Sequence, residues 1–371
     1  MSDTVTIGFP RMMKEPGEKR VFLPEFIQYL TRLGAKVYLE EGYGSRSGYT
    51  FDHYRRANPS VRQCTREEAF QKDYVMILRS PNEEEFSRLG ENSCLISMLH
   101  YPTRPKRVEI LKKLNARAIS MDSIINDNGT RLIEDMKAVA WNGLEVAFDQ
   151  LEQRLPGLVR PDGKPIHVLI IGSGMVGKHA VDAATKLGNI ERNHDHIEAG
   201  GPGSVAIVAG RNVTSSEKTM KQLLEQADIL VDAAYRRDPS KPVIPNEWIA
   251  CLPEHAIITD LSVDPYTLDT DPPVVRGIEG IPQGNLSQYV FHPDDPNWSK
   301  TIPDSIPTHN RRTTVTCYSW PGLHPEASMR HYAQQWEPLI KVLLEKGYDN
   351  LSPDGDYFER ALYRATLKAL D

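Results

Sequence analysis

Gly172, Gly174 and Gly177 stand as G-x-G-x-x-G inside HVLIIGSGMVGKHAVDAATKLG, residues 167–188. An apolar run, Val168–Ile171, precedes them and a helical pattern, Lys178–Leu187, follows; this is the context a dinucleotide-binding turn requires. Gly172 permits the tight turn, Gly174 lets backbone approach a pyrophosphate, and Gly177 lets helix and strand pack closely. With Ser173, Met175 and Val176 they form a turn whose free N–H groups and partial positive charge suit phosphate. Three further polar residues stand at the ends of apolar runs: Arg79, His100 and Asp264. In open parallel sheets ligands bind beyond the carboxyl ends of strands. Histidine exchanges a proton near neutral pH, and arginine is a fixed planar cation suited to a carboxylate. Taken singly, each has a structural explanation as well; Asp264, for instance, precedes Pro265 and can start a turn.

The elements that must position these residues alternate between strand and helix. Strands are expected at Val5–Phe9, Lys36–Glu40, Tyr74–Leu78, Cys94–Leu99 and Ala116–Ser120, with helices at Glu25–Leu33, Asp52–Ala57 and Val108–Leu114. Apolar residues from Met136 to Leu151 recur at helical spacing, which predicts one long amphipathic helix over Ile133–Arg154. After the glycine-rich strand come strands at Val205–Ala209, Ile229–Ala233 and Ala256–Leu261, with helices at Ser215–Gln226 and Asn246–Cys251. Pro265–Thr313 reads as an irregular crossing, and Glu326–Glu345 and Asp356–Ala369 as helices. This alternation implies an α/β protein of two Rossmann-like domains with parallel sheets and a cleft between them. Residues 1–135 with 312–371 are expected to form a discontinuous catalytic domain, and 136–311 the dinucleotide-binding domain.

The length of 371 residues fits about two domains. A net charge of −6 offers no basic footprint for nucleic acid. No apolar run is long enough to span a bilayer, and the N-terminal MSDTVTIGFP lacks the features of a signal peptide. Cys64, Cys94, Cys251 and Cys317 are scattered and read as free thiols of a cytoplasmic protein. His194, Asp195 and His196 lie in the polar stretch Asn189–Gly203, expected to be a solvated loop rather than a metal site.

The acidic residue of an NAD site belongs at the end of the second strand of the nucleotide-binding unit. Glu191 has the spacing but not the context. The strand end itself reads Ala209-Gly210-Arg211, and a guanidinium there favours a 2′-phosphate. NADP(H) is therefore the favoured cofactor, with NAD(H) the other option.

Several runs, in order, resemble the alanine dehydrogenases and the first domain of nicotinamide nucleotide transhydrogenase: IGFPRMMKEPGEKRVFLPEFI, YLEEGYGSRSGY, VMILRSP, ISMLHYP, IGSGMVG, DLSVD and SWPGLHPEAS. Saccharopine dehydrogenases and N5-carboxyethylornithine synthases are similar to the same family, and PGEKRV with Gly210-Arg211 resembles the latter, NADP-linked branch. The resemblance implies that Arg20 holds a substrate carboxylate, that His100 takes part in proton transfer, and that Asp264 lies near the reacting carbon. It implies cofactor contacts from Ala234, Leu261 and the turn at Ser319 and Trp320, where Trp320 replaces a methionine. Arg79 replaces a lysine of the family pattern and cannot act as a base. The implied activity is oxidoreduction of an amino-acid C–N bond, with a keto acid and either ammonia or a second amino acid as substrates. A homo-oligomer is compatible with the family. Arg20 and Arg79, with no acid known to neutralise them, point to two substrate carboxylates and so to a secondary amine of the saccharopine or opine type. Alanine dehydrogenase, working on pyruvate and ammonia, is the alternative. A nucleotide-binding regulatory protein without chemistry stays open because of Arg79.

Overall fold

The computed structural model describes residues 4–13 and 15–370. Residues 1–3 of the stretch read for a signal peptide, Lys14 of the N-terminal basic loop and the last residue lie outside the described residues. The chain divides into two compact units, Met1–Asp135 with His324–Asp371, and Met136–Leu323.

The first unit opens with β1 (Thr6–Phe9), α1 (Pro24–Arg32), β2 (Lys36–Glu40), α2 (Phe51–Ala57), β3 (Arg62–Cys64), α3 (Arg66–Phe70) and β4 (Tyr74–Arg79). It continues through β5 (Cys94–Met98), α4 (Pro105–Lys113) and β6 (Arg117–Ser120). Pro24 starts α1 where its missing N–H costs nothing, and Thr65 with Glu68 forms a capping box on α3. The six strands are all parallel in the order β3-β2-β1-β4-β5-β6. That is the doubly wound order, and its switch point lies between β1 and β4. Gly8 of β1 sits where a Cβ would collide with the Ala69 carbonyl of α3, so glycine lets helix and sheet meet.

The second unit begins with α5 (Met136–Glu152), followed by β7 (Ile166–Ile171), α6 (Met175–Ala184), α7 (Ile190–Glu198) and β8 (Ser204–Ala209). After these come α8 (Arg211–Thr214), α9 (Glu217–Leu224), β9 (Ile229–Asp232), α10 (Asn246–Ile249), β10 (Ile257–Asp260), β11 (Val290–Phe291) and β12 (Thr313–Thr316). The sheet order is β11-β12-β10-β9-β7-β8, parallel except for the β11–β12 pair. The buried face of α5 carries Ala140, Leu144, Ala147, Phe148 and Leu151, the stripe its periodicity predicts.

The last two helices, α11 (Pro325–Lys346) and α12 (Tyr357–Arg364), belong to the first unit. Met329, Trp336, Leu339 and Ile340 of α11 enter the same core as Ile7, Phe9 and Phe26.

Three expectations need correction. Asn189–Gly203 is not simply a solvated loop: Asn189 accepts from the N–H groups of Glu191 and Arg192 and caps α7, and the ring of buried His196 accepts from the Gly203 N–H. Residues 312–323 pack with the second unit, because β12 pairs with β10 in register. The polar Thr313-Thr314-Val315-Thr316 run conceals a strand that is buried throughout. The C-terminal helix stops at Arg364 and is followed by a short 3-10 turn at Leu367–Leu370.

Gly8→Ala is expected to destabilise the protein by about 1–3 kcal/mol, the usual cost of overpacking. Urea denaturation followed by circular dichroism measures it; an unchanged midpoint would refute the close approach of β1 and α3.

Candidate functional site

In the first unit four adjacent strands, β1, β4, β5 and β6, deliver polar groups to the carboxyl edge of the sheet. The segment after β1 carries Glu15, Glu18 and Arg20, and β4 ends in Arg79. Arg20 and Glu18 are both buried and form a fork: Nε donates to Oε1 at 3.0 Å, Nη2 to Oε2 at 2.6 Å, and the Arg20 backbone N–H to Oε1 at 2.9 Å. Burial works to raise the Glu18 pKa, but the Arg20 guanidinium outweighs it and the carboxyl stays below its ordinary value. Arg79 pairs with Glu15 through both Nε, at 3.1 Å, and Nη2. Glu18 also feels Arg79, and Arg20 feels Glu15, so the four groups form one charge-balanced cluster. Glu15, Glu18 and Arg79 line a common pocket with Ser80 and Pro81. This removes the premise of two arginines lacking acids: the chain supplies a carboxylate for each.

His100 follows β5, and Asp122 follows β6. The His100 backbone is left-handed, with φ of 54°, which turns its N–H onto Asp122 Oδ1 at 3.1 Å. The ring Nδ1 lies 3.1 Å from Asp122 Oδ2, and Ser120 Oγ donates to Oδ1 at 2.8 Å. Burial acts to raise the Asp122 pKa, yet the hydrogen bonds and charge of His100 pull it down to about 2. The Asp122 side chain is 5% exposed and that of His100 37%. The buried acid therefore fixes one ring nitrogen, while Nε2 makes no hydrogen bond among the described residues. Asp122 was missed in the sequence; its position just beyond a strand end was the available signal.

In the second unit the switch point lies between β7 and β9. Gly172 has φ of +100°, and a Cβ there or on Gly177 would strike backbone oxygens of Ala233 or Gly172. Around Gly174, by contrast, a Cβ would meet nothing within 4 Å, and no side chain caps the start of α6. Tight turn, open approach and uncapped N–H groups at Met175, Val176 and Gly177 together fit a pyrophosphate. Ser173 and Met175 are exposed beside them. Gly210 follows β8 and is the N-cap of α8, and Arg211 is exposed with no ion pair among the described residues.

Ala234 donates its N–H to Asp232 Oδ1 at 3.0 Å. Leu261 is buried against Gly143 of α5. Ser319 is buried, and the Trp320 indole donates to the Asp260 carbonyl at 2.8 Å. The Trp320 side chain thus belongs to the core, and Asn142 Nδ2 holds its carbonyl at 2.8 Å. Asp264 pairs with Arg236, Nη2 to Oδ2 at 2.7 Å, and the buried Arg236 also donates to the carbonyls of Pro239 and Lys241. Arg236 was not foreseen; in sequence it is one of two adjacent arginines in a polar run. Among the described residues there is no cluster of three or more His, Cys, Asp or Glu able to hold a metal, and no helix is long and apolar enough to cross a membrane.

The alanine dehydrogenase/PNT N-terminal domain profile matches residues 8–140, and the C-terminal domain profile of the same family matches residues 148–266. Alanine dehydrogenase 1 of Staphylococcus aureus is 25% identical over 266 residues, covering 67% of this chain and 70% of that protein. The solved structure of an L-alanine dehydrogenase superposes with a TM-score of 0.71 at 19% identity, over 98% of this chain and 94% of that one. A transhydrogenase from Sinorhizobium meliloti superposes at 0.58 and 16% identity, over 92% and 94% of the two chains. Matched by both domain profiles over most of its length, the chain belongs to the alanine dehydrogenase/PNT family.

Proposed function

We propose that this chain is an NAD(P)(H)-dependent amino-acid dehydrogenase that interconverts a small 2-keto acid and ammonia with the amino acid. The observation that carries the reading is the His100–Asp122 pair, an oriented imidazole at a strand end of a family member. The net reductive direction consumes keto acid, ammonia, a hydride and a proton, and yields the amino acid and water. The nicotinamide supplies the hydride when bound. Gly172, Ser173, Gly174, Met175, Val176 and Gly177 would hold its pyrophosphate, and Gly210 and Arg211 would meet the adenosine ribose. His100 exchanges the proton through Nε2 while Asp122 holds Nδ1. Arg20 and Arg79 orient the substrate carboxylate, and Asp264, anchored by Arg236, favours the positive charge of the reacting nitrogen.

Ammonia is preferred to a second amino acid because Glu15 and Glu18 already balance the two arginines. No excess positive charge remains to call for a second substrate carboxylate, and relatives named alanine dehydrogenase are in accord with that choice. The secondary-amine reading keeps one argument, Arg79 in place of the family lysine. Steady-state assays separate the two: pyruvate with ammonia should turn over without gain from lysine, ornithine or arginine. Turnover that requires such a co-substrate would establish the secondary-amine type instead.

His100→Ala should lower kcat by roughly a hundredfold or more, the usual cost of losing a general acid–base group. Nucleotide affinity, read by cofactor fluorescence, should barely move; unchanged turnover would return His100 to a structural role.

The exposed guanidinium of Arg211 favours a 2′-phosphate, so NADPH is expected to serve at least as well as NADH. Arg211→Ala should raise the Kd of NADPH and leave that of NADH nearly constant, as titration of each nucleotide will show. Strong preference for NADH with no effect of the substitution would overturn this assignment.

A further inference from the structure

Beneath the turn that carries Asp264 lie two buried carboxyl groups. Asp232 ends β9 and Asp260 ends β10, and the two are register partners on neighbouring parallel strands; Thr316 of β12 is the next partner along. Each aspartate is 1% exposed. Ser262 places its single hydroxyl 2.9 Å from Asp232 Oδ2 and 3.2 Å from Asp260 Oδ1.

The partners of the two acids are unequal. Asp260 receives the Arg276 guanidinium and, at 3.0 Å, the Thr316 hydroxyl on Oδ2. It also receives the Val263 N–H on Oδ1 at 2.9 Å. Among the described residues the Asp232 carboxyl receives only the Ala234 N–H at 3.0 Å and a share of the Ser262 hydroxyl. One hydroxyl proton cannot serve two carboxylates. Were both acids ionised, one buried oxygen would face the serine lone pairs with no hydrogen between them. The neighbouring charges do not relieve this. Arg276 is engaged by Asp260 and lies over the Tyr266 ring, and Arg236 is engaged by Asp264. On the remaining side Gly277 closes over Asp232 Oδ2, where a Cβ would collide with the carboxyl.

We propose that Asp232 is a positioning residue that works as a neutral carboxylic acid: its Oδ2–H donates to Ser262 Oγ, Ser262 donates to Asp260 Oδ1, and this chain of donors fixes the turn that presents Asp264. The turn needs fixing because Val263, a β-branched residue, sits at φ of +48°, in the left-handed region. Its N–H and the preceding serine are both tied to the carboxyl pair, so the strained backbone is held from below. Burial first, and the adjacent Asp260 charge second, push the Asp232 carboxyl up to about 7, in keeping with the proton count. The importance of Asp264 rests on the proposed dehydrogenase reading; the protonation of Asp232 does not.

The test is a pH titration of the whole protein carrying 13C at the aspartate Cγ, followed by NMR, with the Asp232 resonance assigned through the wild-type backbone. The expected result is a midpoint near neutrality for Asp232, absent in Asp232→Asn. Asparagine can donate to Ser262 from Nδ2 and accept from Ala234 on Oδ1, so it reproduces the neutral acid. In the folded protein the Asp232 pKa is raised from 3.8 to about 7, so the native state binds the extra proton between these values. Wild type should therefore lose stability relative to Asp232→Asn as pH rises through that window, and the difference should level off above it. Titration of Asp232 in the ordinary carboxylate range would overturn the proposal, as would an asparagine variant less stable than wild type throughout. Neither readout depends on turnover, so failure to find a dehydrogenase substrate leaves this result intact.

Discussion

Parallel pairing forces every strand of a sheet to end on the same edge, and at the switch point the outgoing connections turn away to opposite faces. Both units are built on this constraint. In the first, the opening between β1 and β4 receives the Glu15–Arg20 segment and Arg79; in the second, the opening between β7 and β9 receives the glycine turn. Register then sets the neighbours. Arg79 partners Met98 across β4 and β5, and Ser97 partners Ser120 across β5 and β6, which brings His100 and Asp122 beyond adjacent strand ends. The polar groups meet because the apolar ladders beneath them are aligned.

Burial of charge is then managed locally. Glu18 and Arg20 are two residues apart and both buried, so the guanidinium fork is satisfied within one short segment of the chain. Removing one partner from such a pair usually costs about 3–5 kcal/mol, because the other is left charged and dry. The half-buried neighbours Glu15 and Arg79, still in reach of water, carry a smaller penalty. Within one cluster, the inner pair is thus the costlier of the two to break.

Much of this was legible in the residues. Apolar runs identified the central strands, helical periodicity identified α5, and glycine spacing identified the β7–α6 turn. The misses share a cause. β12 is threonine-rich, and its polarity conceals a strand whose hydroxyls all find partners: Thr316 with Asp260 and Arg276, Thr314 with the Arg312 carbonyl, and Thr313 with Arg154. Asp122, Glu15 and Arg236 are ordinary charged residues in sequence; only the fold shows that they meet His100, Arg79 and Asp264. Long-range pairing of charges has no periodicity, so a single sequence does not announce it. The same gap explains why Arg20 and Arg79 read as two unbalanced cations.

Glu15 also makes the pocket self-occupied. Its carboxylate rests on the guanidinium that an incoming carboxylate would use, and it is tethered by a short segment after β1. A tethered group acts at an effective concentration on the order of millimolar. A free carboxylate that took the same Nε–Nη2 edge of Arg79 would have to displace this internal ligand, and contacts elsewhere on the molecule would supply the difference. A site held in this way would discriminate against small anions that offer nothing but charge, and its own glutamate keeps it electrically quiet in their absence.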